Sequence, residues 1–281
     1  YKVINSITGL GHLFVGDKKR TIVLRKVISP LYKEILSARR AINIFQNRDD
    51  ADKMISDGLT RGGQAKLISG SGVDVKYFCN TDYSFRLSNL RHGDQVVILF
   101  PARIIEEKGV QEVVEAMGYL KDKEYDFVLQ IAGDIDNGNR SRLSSDWVDG
   151  LCSRASVRML GHCCDMKKVY ECSHIVVLPS WREGLSRTLI EAAAMEKPII
   201  TSDVPGCRDI VEHGKNGLLV KKGCAHSISM ATLLMARNGE WADKLGQKAR
   251  EKVVSEFEVS LVNRSTLKEY NELLKNVRTY K

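Results

Sequence analysis

Residues 174–220 read HIVVLPSWREGLSRTLIEAAAMEKPIITSDVPGCRDIVEHGKNGLLV. The apolar run Ile175 to Leu178 is short and uninterrupted, as in a strand buried on both faces of a parallel sheet. Pro179 ends it. A loop over 180–183 leads to Gly184, and a helical pattern runs from Leu185 to about Met195. Pro198-Ile199-Ile200-Thr201 opens the next strand. The order is strand, loop, helix, strand, with a glycine placed where the helix opens. Unpaired backbone N–H groups and the positive end of the macrodipole make such a helix start a binding place for phosphate. Glycine there lets a ligand approach the backbone.

Two carboxylates frame this stretch, Glu183 before the helix and Glu191 within it. On one helix an eight-residue separation is about 12 Å along the axis. That is about the length of a diphosphate plus one sugar, so each acid could meet hydroxyls at one end of a nucleotide-sugar. A retaining glycosidase would need its carboxyl groups about 5 Å apart across a single bond. Spacing alone leaves plainer readings open: Glu183 as a first-turn acid favoured by the dipole, and Glu191 as a solvated helix residue.

Moving outward, residues 95–255 repeat the same alternation. Strands are predicted at Gln95 to Phe100, Phe127 to Ile131, Val157 to Leu160, Ile175 to Leu178, Ile199-Ile200 and Leu218 to Val220. A helix after the first carries Val110, Val113, Val114 and Met117 at helical spacing. Strands alternating with helices argue for an α/β unit with a parallel sheet and right-handed crossovers. Ligands in such sheets bind beyond the carboxyl ends of the strands. Arg103, Gly133, Gly161 and Glu183 all follow strand ends and are predicted to converge on one edge. Arg103 and Lys108 lie in one strand-to-helix turn, and two fixed cations there would stabilise the charge that develops on a departing diphosphate. The plainer reading is a solvated basic pair.

Residues 1–94 are less regular. Strands are predicted at Val3 to Thr8, at Ile42 to Gln46 and at Ala65 to Ile68. Residues 21–39 are partly helix-compatible, with Pro30 expected to break or start a helix. Asn47 has the look of an N-cap, with Asp49 and Asp50 in the first turn that follows. Ser69-Gly70-Ser71-Gly72-Val73-Asp74 is not a dinucleotide loop, because no helical pattern follows it, and its glycines read as a tight inter-domain turn. Three strands fall short of the five or six of a complete doubly wound unit. Residues 240–254 and 259–279 read as two terminal helices, the second with Leu261, Leu267, Tyr270 and Leu274 in a thin apolar stripe.

Composition narrows the class. Hydrophobic content of 43% and charged content of 28% are those of an ordinary globular protein. No run of apolar residues reaches transmembrane length, and there is no signal-peptide pattern. The cysteines are seven, scattered, and without a CxxC, which favours reduced thiols over a disulfide framework. His162, Cys163, Cys164, Cys172 and His174 crowd one region, but their spacing matches no common zinc pattern. A net charge of +8 favours anionic partners. The basic residues are dispersed without interleaved aromatics, which argues against a nucleic-acid surface.

REGLSRTLIEAAA, flanked by LGHCCDM and KPIITSDVPGCRDIVEHGKNGLLV, resembles the donor-binding signature of the family-4 retaining glycosyltransferases of the GT-B fold. Within the family, the resemblance is to bacterial N-acetylgalactosaminyltransferases acting on undecaprenyl-diphosphate-linked sugars. The resemblance implies two Rossmann-like domains. The C-terminal part of an acceptor-side domain would occupy 1–74, a linker 75–94, a nucleotide-sugar-binding domain 95–255, and a helix crossing to the first domain 256–281. It also implies that roughly the first hundred residues of a full-length enzyme precede this chain.

Residue by residue, the resemblance assigns Arg103 and Lys108 to the diphosphate and Glu183 to the donor sugar's hydroxyls near the reacting carbon. Gly184, Leu185 and Ser186 would offer backbone N–H groups, and Glu191 would accept from the ribose. Gly133 and Gly161 belong to the same donor site, with Leu160-Gly161-His162 near the base. Glu183, Arg103 and Lys108 are the expected catalytic residues, with no metal and no cofactor. The implied reaction moves a hexose or N-acetylhexosamine from a UDP-sugar to a polyprenyl-diphosphate-linked saccharide. It would take place at the inner face of the plasma membrane, through peripheral contact with anionic lipid and without nucleic acid. Two alternatives are a donor-binding remnant without turnover and a GT-B epimerase of UDP-sugars. The chain departs from the family pattern twice. Glu196 stands where a glycine usually ends the helix. Thr8 stands where related transferases often carry a histidine, with His12 downstream.

Overall fold

The structure, a computed structural model, describes residues 2–16, 18–136, 138–139, 141–154 and 156–275, less the side chains of His12, Val15 and Cys152. The chain divides into two compact units. The first holds residues up to Gly72, the short segment Glu183–Leu185, and the chain from Glu256 onward; the second holds Val73–Arg182 and Ser186–Ser255.

In the first unit β1 (Val3–Ile7), β2 (Ala41–Phe45) and β3 (Ala65–Leu67) form a parallel sheet in that order. The helices α1 (Gly11–Val15), α2 (Lys19–Leu36) and α3 (Arg48–Ser56) lie between them in sequence. Successive residues of β2 face opposite sides of the sheet. Phe45 packs with Leu10, Phe14, Leu36, Met54 and Leu59, whereas Ile44 packs with Ile68 and Val262. Val262 belongs to the helix α10 (Val259–Lys275). Buried Asn43 is fully used: its Nδ2 donates to Leu36 O at 2.7 Å and Thr60 Oγ1 at 2.6 Å, and its Oδ1 accepts from Asn5 Nδ2 at 2.8 Å.

Two local expectations are met and one is corrected. Asn47 caps α3, its side chain accepting from Asp50 N at 2.8 Å. Gly70 and Gly72 sit at φ +66° and +70°, and a Cβ on Gly72 would fall 2.7 Å from Val259 Cα. That loop is therefore a tight turn against α10. Pro30 neither breaks nor starts a helix, because α2 runs through it. The proline forfeits one bond to the Lys26 carbonyl, but both residues are exposed, so water can take that carbonyl.

The second unit is a parallel sheet of six strands. They are β4 (Gln95–Phe100), β5 (Asp126–Ala132), β6 (Val157–Gly161), β7 (Ile175–Leu178), β8 (Ile199–Ser202) and β9 (Leu218–Val220). Their spatial order is β6-β5-β4-β7-β8-β9. The order therefore reverses between β4 and β7, the switch point of a doubly wound fold. The connections carry α4 (Val110–Leu120), α5 (Ser145–Cys152), α6 (Met166–Glu171) and α7 (Arg187–Ala194). After β9 come α8 (Ala225–Arg237) and α9 (Gly239–Glu256). Every residue of β7 is 0% exposed, which is why it reads as an unbroken apolar run.

Residues 75–94, read from sequence as a polar linker, are packed within this unit. Phe78 and Leu87 are buried. The Asp243 carboxylate accepts from Leu87 N, Ser88 N and Ser88 Oγ, and Arg250 donates to Val75 O and Phe78 O. Among the described residues, no helix is long and apolar enough to cross a membrane.

Candidate active site

Three strand ends in the second unit build one cleft of about 420 Å³. β4 supplies Pro101, Ala102 and Arg103, with Lys108 one short turn later; β5 supplies Gly133 and Asp134; β6 leads to His162 and Cys163. Ala132, Met166 and Thr188 complete the lining. The predicted phosphate cations and the predicted donor glycine Gly133 are thus brought together. Gly161 lies at the end of β6, just before the cleft residue His162, in the left-handed region at φ +64°.

The glycines are there for steric reasons. A Cβ on Gly133 would meet Ala102 O at 2.1 Å, so only glycine lets the end of β5 pass the end of β4. Gly109 follows Lys108 at φ +77°, and a Cβ there would fall 2.4 Å from Pro179 O. This fixes where the turn bearing Lys108 meets the end of β7. Arg103 is exposed and forms an ion pair with Asp136, a partner the sequence did not single out.

α7 is shorter than its pattern predicts. It begins at Arg187, with Ser186 in extended conformation before it and no side-chain cap bond. The estimate of about 12 Å along one axis does not apply, since only Glu191 lies on the helix. Glu183, Gly184 and Leu185 group with the first unit. The close backbone approach at Gly184 is made by the chain itself. A Cβ there would fall 1.6 Å from Thr8 O, and Asn47 Nδ2 donates to Gly184 O at 2.6 Å. Leu185 sits against Gly70. Glu183 is half-buried.

Ser186 is buried, with its Oγ 3.2 Å from Thr188 Oγ1. Glu191 is 6% exposed, so it is not a solvated helix residue. Its Oε1 accepts from Arg187 Nε at 2.8 Å and its Oε2 from Tyr170 OH at 3.3 Å. Burial pushes the Glu191 carboxyl up from the ordinary carboxylate range, opposed by Arg187 and then by Tyr170. Burial also pushes the Tyr170 phenol well up, and the neighbouring Glu191 charge adds to this.

The crowded His/Cys region does not converge. His174 is buried with Nδ1 accepting from Val97 N at 3.0 Å, and burial lowers its pKa to about 4. Cys164 and Cys172 are exposed, and Cys163 lines the cleft with its thiol pushed up by burial. Among the described residues, no three His, Cys, Asp or Glu side chains are grouped to hold a metal ion.

Residues 84–252 match the family described as glycosyl transferases group 1. An N,N'-diacetylbacillosaminyl-diphospho-undecaprenol alpha-1,3-N-acetylgalactosaminyltransferase of Campylobacter jejuni is 28% identical over 96% of this chain and 70% of its own. The capsular polysaccharide biosynthesis glycosyltransferase CapM of Staphylococcus aureus is 29% identical over 79% of this chain. This chain spans only 59% of CapM's length.

Among solved structures, Anabaena HepE in complex with UDP and glucose superposes with a TM-score of 0.78 at 19% identity, over 96% of this chain and 71% of its own. Sucrose-phosphate synthase from Thermosynechococcus elongatus gives 0.79 at 22%, over 98% and 69%. At such identities the structures speak for the fold, and the sequence match speaks for the family. The chain belongs to the glycosyl transferases group 1 family and has the GT-B fold.

Proposed function

We propose that this chain binds a UDP-sugar and belongs to a retaining glycosyltransferase that moves a hexose or N-acetylhexosamine onto a polyprenyl-diphosphate-linked saccharide. The observation that carries the reading is the cleft where Arg103 and Lys108 meet Gly133 at the carboxyl ends of β4 and β5. Two cations in a cleft at the carboxyl ends of neighbouring strands suit a diphosphate. They would stabilise its charge as the glycosidic bond breaks, so the reading requires no metal ion. Glu191 is assigned the ribose hydroxyls and Glu183 the hydroxyls of the sugar. Ser186 N–H, and those of Gly184 and Leu185, are assigned to the donor by resemblance.

The nature of the donor is supported by the HepE complex with UDP-glucose, and that of the acceptor by the name of the C. jejuni relative. Peripheral membrane contact is supported by α2. Val23, Leu24, Val27 and Leu31 are exposed on it, and Lys19, Arg20, Arg25, Lys26 and Lys33 outnumber the single acid Glu34. Apolar and basic side chains on one helix suit the face of an anionic bilayer, which the reading places at the inner side of the plasma membrane.

The test is calorimetric titration of UDP, UDP-N-acetylgalactosamine and UDP-N-acetylglucosamine into the chain and its Arg103→Ala variant, with and without EDTA. Binding that survives EDTA and is lost in the variant is expected. No nucleotide binding to the unaltered chain would refute the reading. Conversion of a UDP-sugar to its epimer without acceptor would point to an epimerase instead.

A further inference from the structure

We propose that Tyr170 is a positioning residue for the nucleotide donor, acting through Glu191 with Arg187 as its counterion. The inference rests on the assignment of Glu191 to the ribose. Tyr170 is 0% exposed, on the short helix α6 that precedes β7. Its hydroxyl is the only polar atom of a large buried side chain, and it reaches two acceptors on α7. Thr188 O lies at 3.1 Å and Glu191 Oε2 at 3.3 Å. A phenol has one proton to give, so it is shared between the two. Thr188 also lines the cleft. One buried hydroxyl therefore holds both the first turn of α7 at the cleft and the carboxylate one turn further along.

The arrangement is asymmetric in a useful way. Oε2 is held from the core side by a group that cannot move without repacking. Oε1 is held by Arg187, whose side chain is 69% exposed. An ionised carboxylate has about four lone-pair sites, so two bonds leave capacity for two hydroxyls. Arg187 supplies the charge that keeps a buried carboxyl ionised against desolvation. An ionised acceptor fixed in orientation is what recognition of a vicinal diol requires, because the hydroxyls then gain charge-assisted bonds without reorganising the protein. Freed of the phenol, the carboxylate could rotate toward Arg187 and present one oxygen instead of two.

The test is a comparison of UDP with 2′,3′-dideoxy-UDP by calorimetry on the full chain, with Tyr170→Phe, Glu191→Gln, the double variant, and Arg187→Gln. Tyr170→Phe is expected to weaken UDP about tenfold and dideoxy-UDP hardly at all, as for loss of one bond to a charged group. The double variant should be no weaker than Glu191→Gln alone, since the phenol acts through the carboxylate. Arg187→Gln should shift the acid limb of UDP binding to higher pH, because the buried carboxyl then protonates more readily. A phenol that only supports the fold would lower stability and weaken both nucleotides equally, or add to Glu191→Gln; either result overturns the proposal. If the unaltered chain binds UDP and its dideoxy analogue equally, the ribose assignment itself fails, and the role of Tyr170 falls with it.

Discussion

Arg103 donates from Nη1 to the Asp136 carboxylate, so the cation assigned to the diphosphate already has an anion of its own chain. The pair is exposed on the arginine side, 57%, and therefore weak and screened by salt. A diphosphate carries more charge than one carboxylate and would displace it. Asp136 then acts as a competitor that also repels the ligand. Asp136→Asn is expected to tighten UDP about two- to fivefold at low salt, the scale of an exposed ion pair, with the gain shrinking as salt rises. Titrations at two ionic strengths check this. Unchanged or weaker binding would mean that Asp136 orients Arg103 rather than competing for the ligand.

His174 should govern acid stability. Burial lowers its pKa from 6.5 to about 4, while Nδ1 accepts from Val97 N. The folded chain therefore refuses a proton that the unfolded chain binds. This contribution is fully present above pH 6.5 and is lost as pH falls through about 4. The shift corresponds to about 3 kcal/mol at most. Chemical denaturation between pH 7 and 4 should show the loss, and His174→Asn, less stable at pH 7, should show a flatter profile. Lys197 extends the argument to alkali. Burial lowers its pKa to about 8, while Nζ donates to Ser173 O and Glu171 O. Its contribution grows as pH rises from about 8 toward 10.5, and Lys197→Met should remove that rise.

How far these residues could be read in advance depended on the range of the contacts that place them. Strands β4, β7 and β8 were legible because a strand buried on both faces must be apolar at every position. Asn47 was legible because capping is local. The convergence of Arg103, Lys108 and Gly133 on one edge was legible because strand ends can be counted. Asp136, Arg187 and Tyr170 were not, because each matters through a partner chosen by packing rather than by spacing. α7 starts two residues later than its pattern, since Leu185 fits the helical period but is used against Gly70. Pro30 misled because the rule for prolines weighs the lost bond and not the exposure of the carbonyl that loses it.

Glu196 shows one departure from the family pattern carried through into structure. It sits at φ +57° after α7, where Glu196 N donates to Ala193 O and Lys197 N to Ala192 O. That is a Schellman end, which favours glycine. The left-handed residue costs about 1 kcal/mol. Its carboxylate regains part of this from Arg86 Nη2 at 3.3 Å and Arg250 Nε at 3.9 Å. Glu196→Gln keeps the strain and loses the charge, so it should destabilise by about 0.5–1 kcal/mol. Glu196→Gly loses both and should be near neutral. Thermal unfolding that ranks glycine below glutamine would refute this account.

Gly133 offers the sharpest separation of scaffold from site. Its added Cβ would meet Ala102 O at 2.1 Å, Ala102 C at 2.5 Å and Arg103 N at 3.0 Å. These are backbone atoms of a strand end, so no rotamer change can relieve the clash, and β4 and β5 must part where they support the cleft. Gly133→Ala is expected to destabilise by about 1–3 kcal/mol, as overpacking does. It should also weaken UDP more than Asp136→Asn strengthens it, because Arg103 moves with its backbone. Gly138→Ala, in the following loop, is the control: its Cβ would meet only Asp136 Oδ1, at 3.7 Å, an ordinary contact. Measured side by side, a Gly133→Ala chain that is folded but blind to UDP, and a Gly138→Ala chain that binds it, would tie donor binding to the crossing of β4 and β5. Equal binding by both would show that Arg103 reaches the diphosphate from a backbone that need not be held so closely.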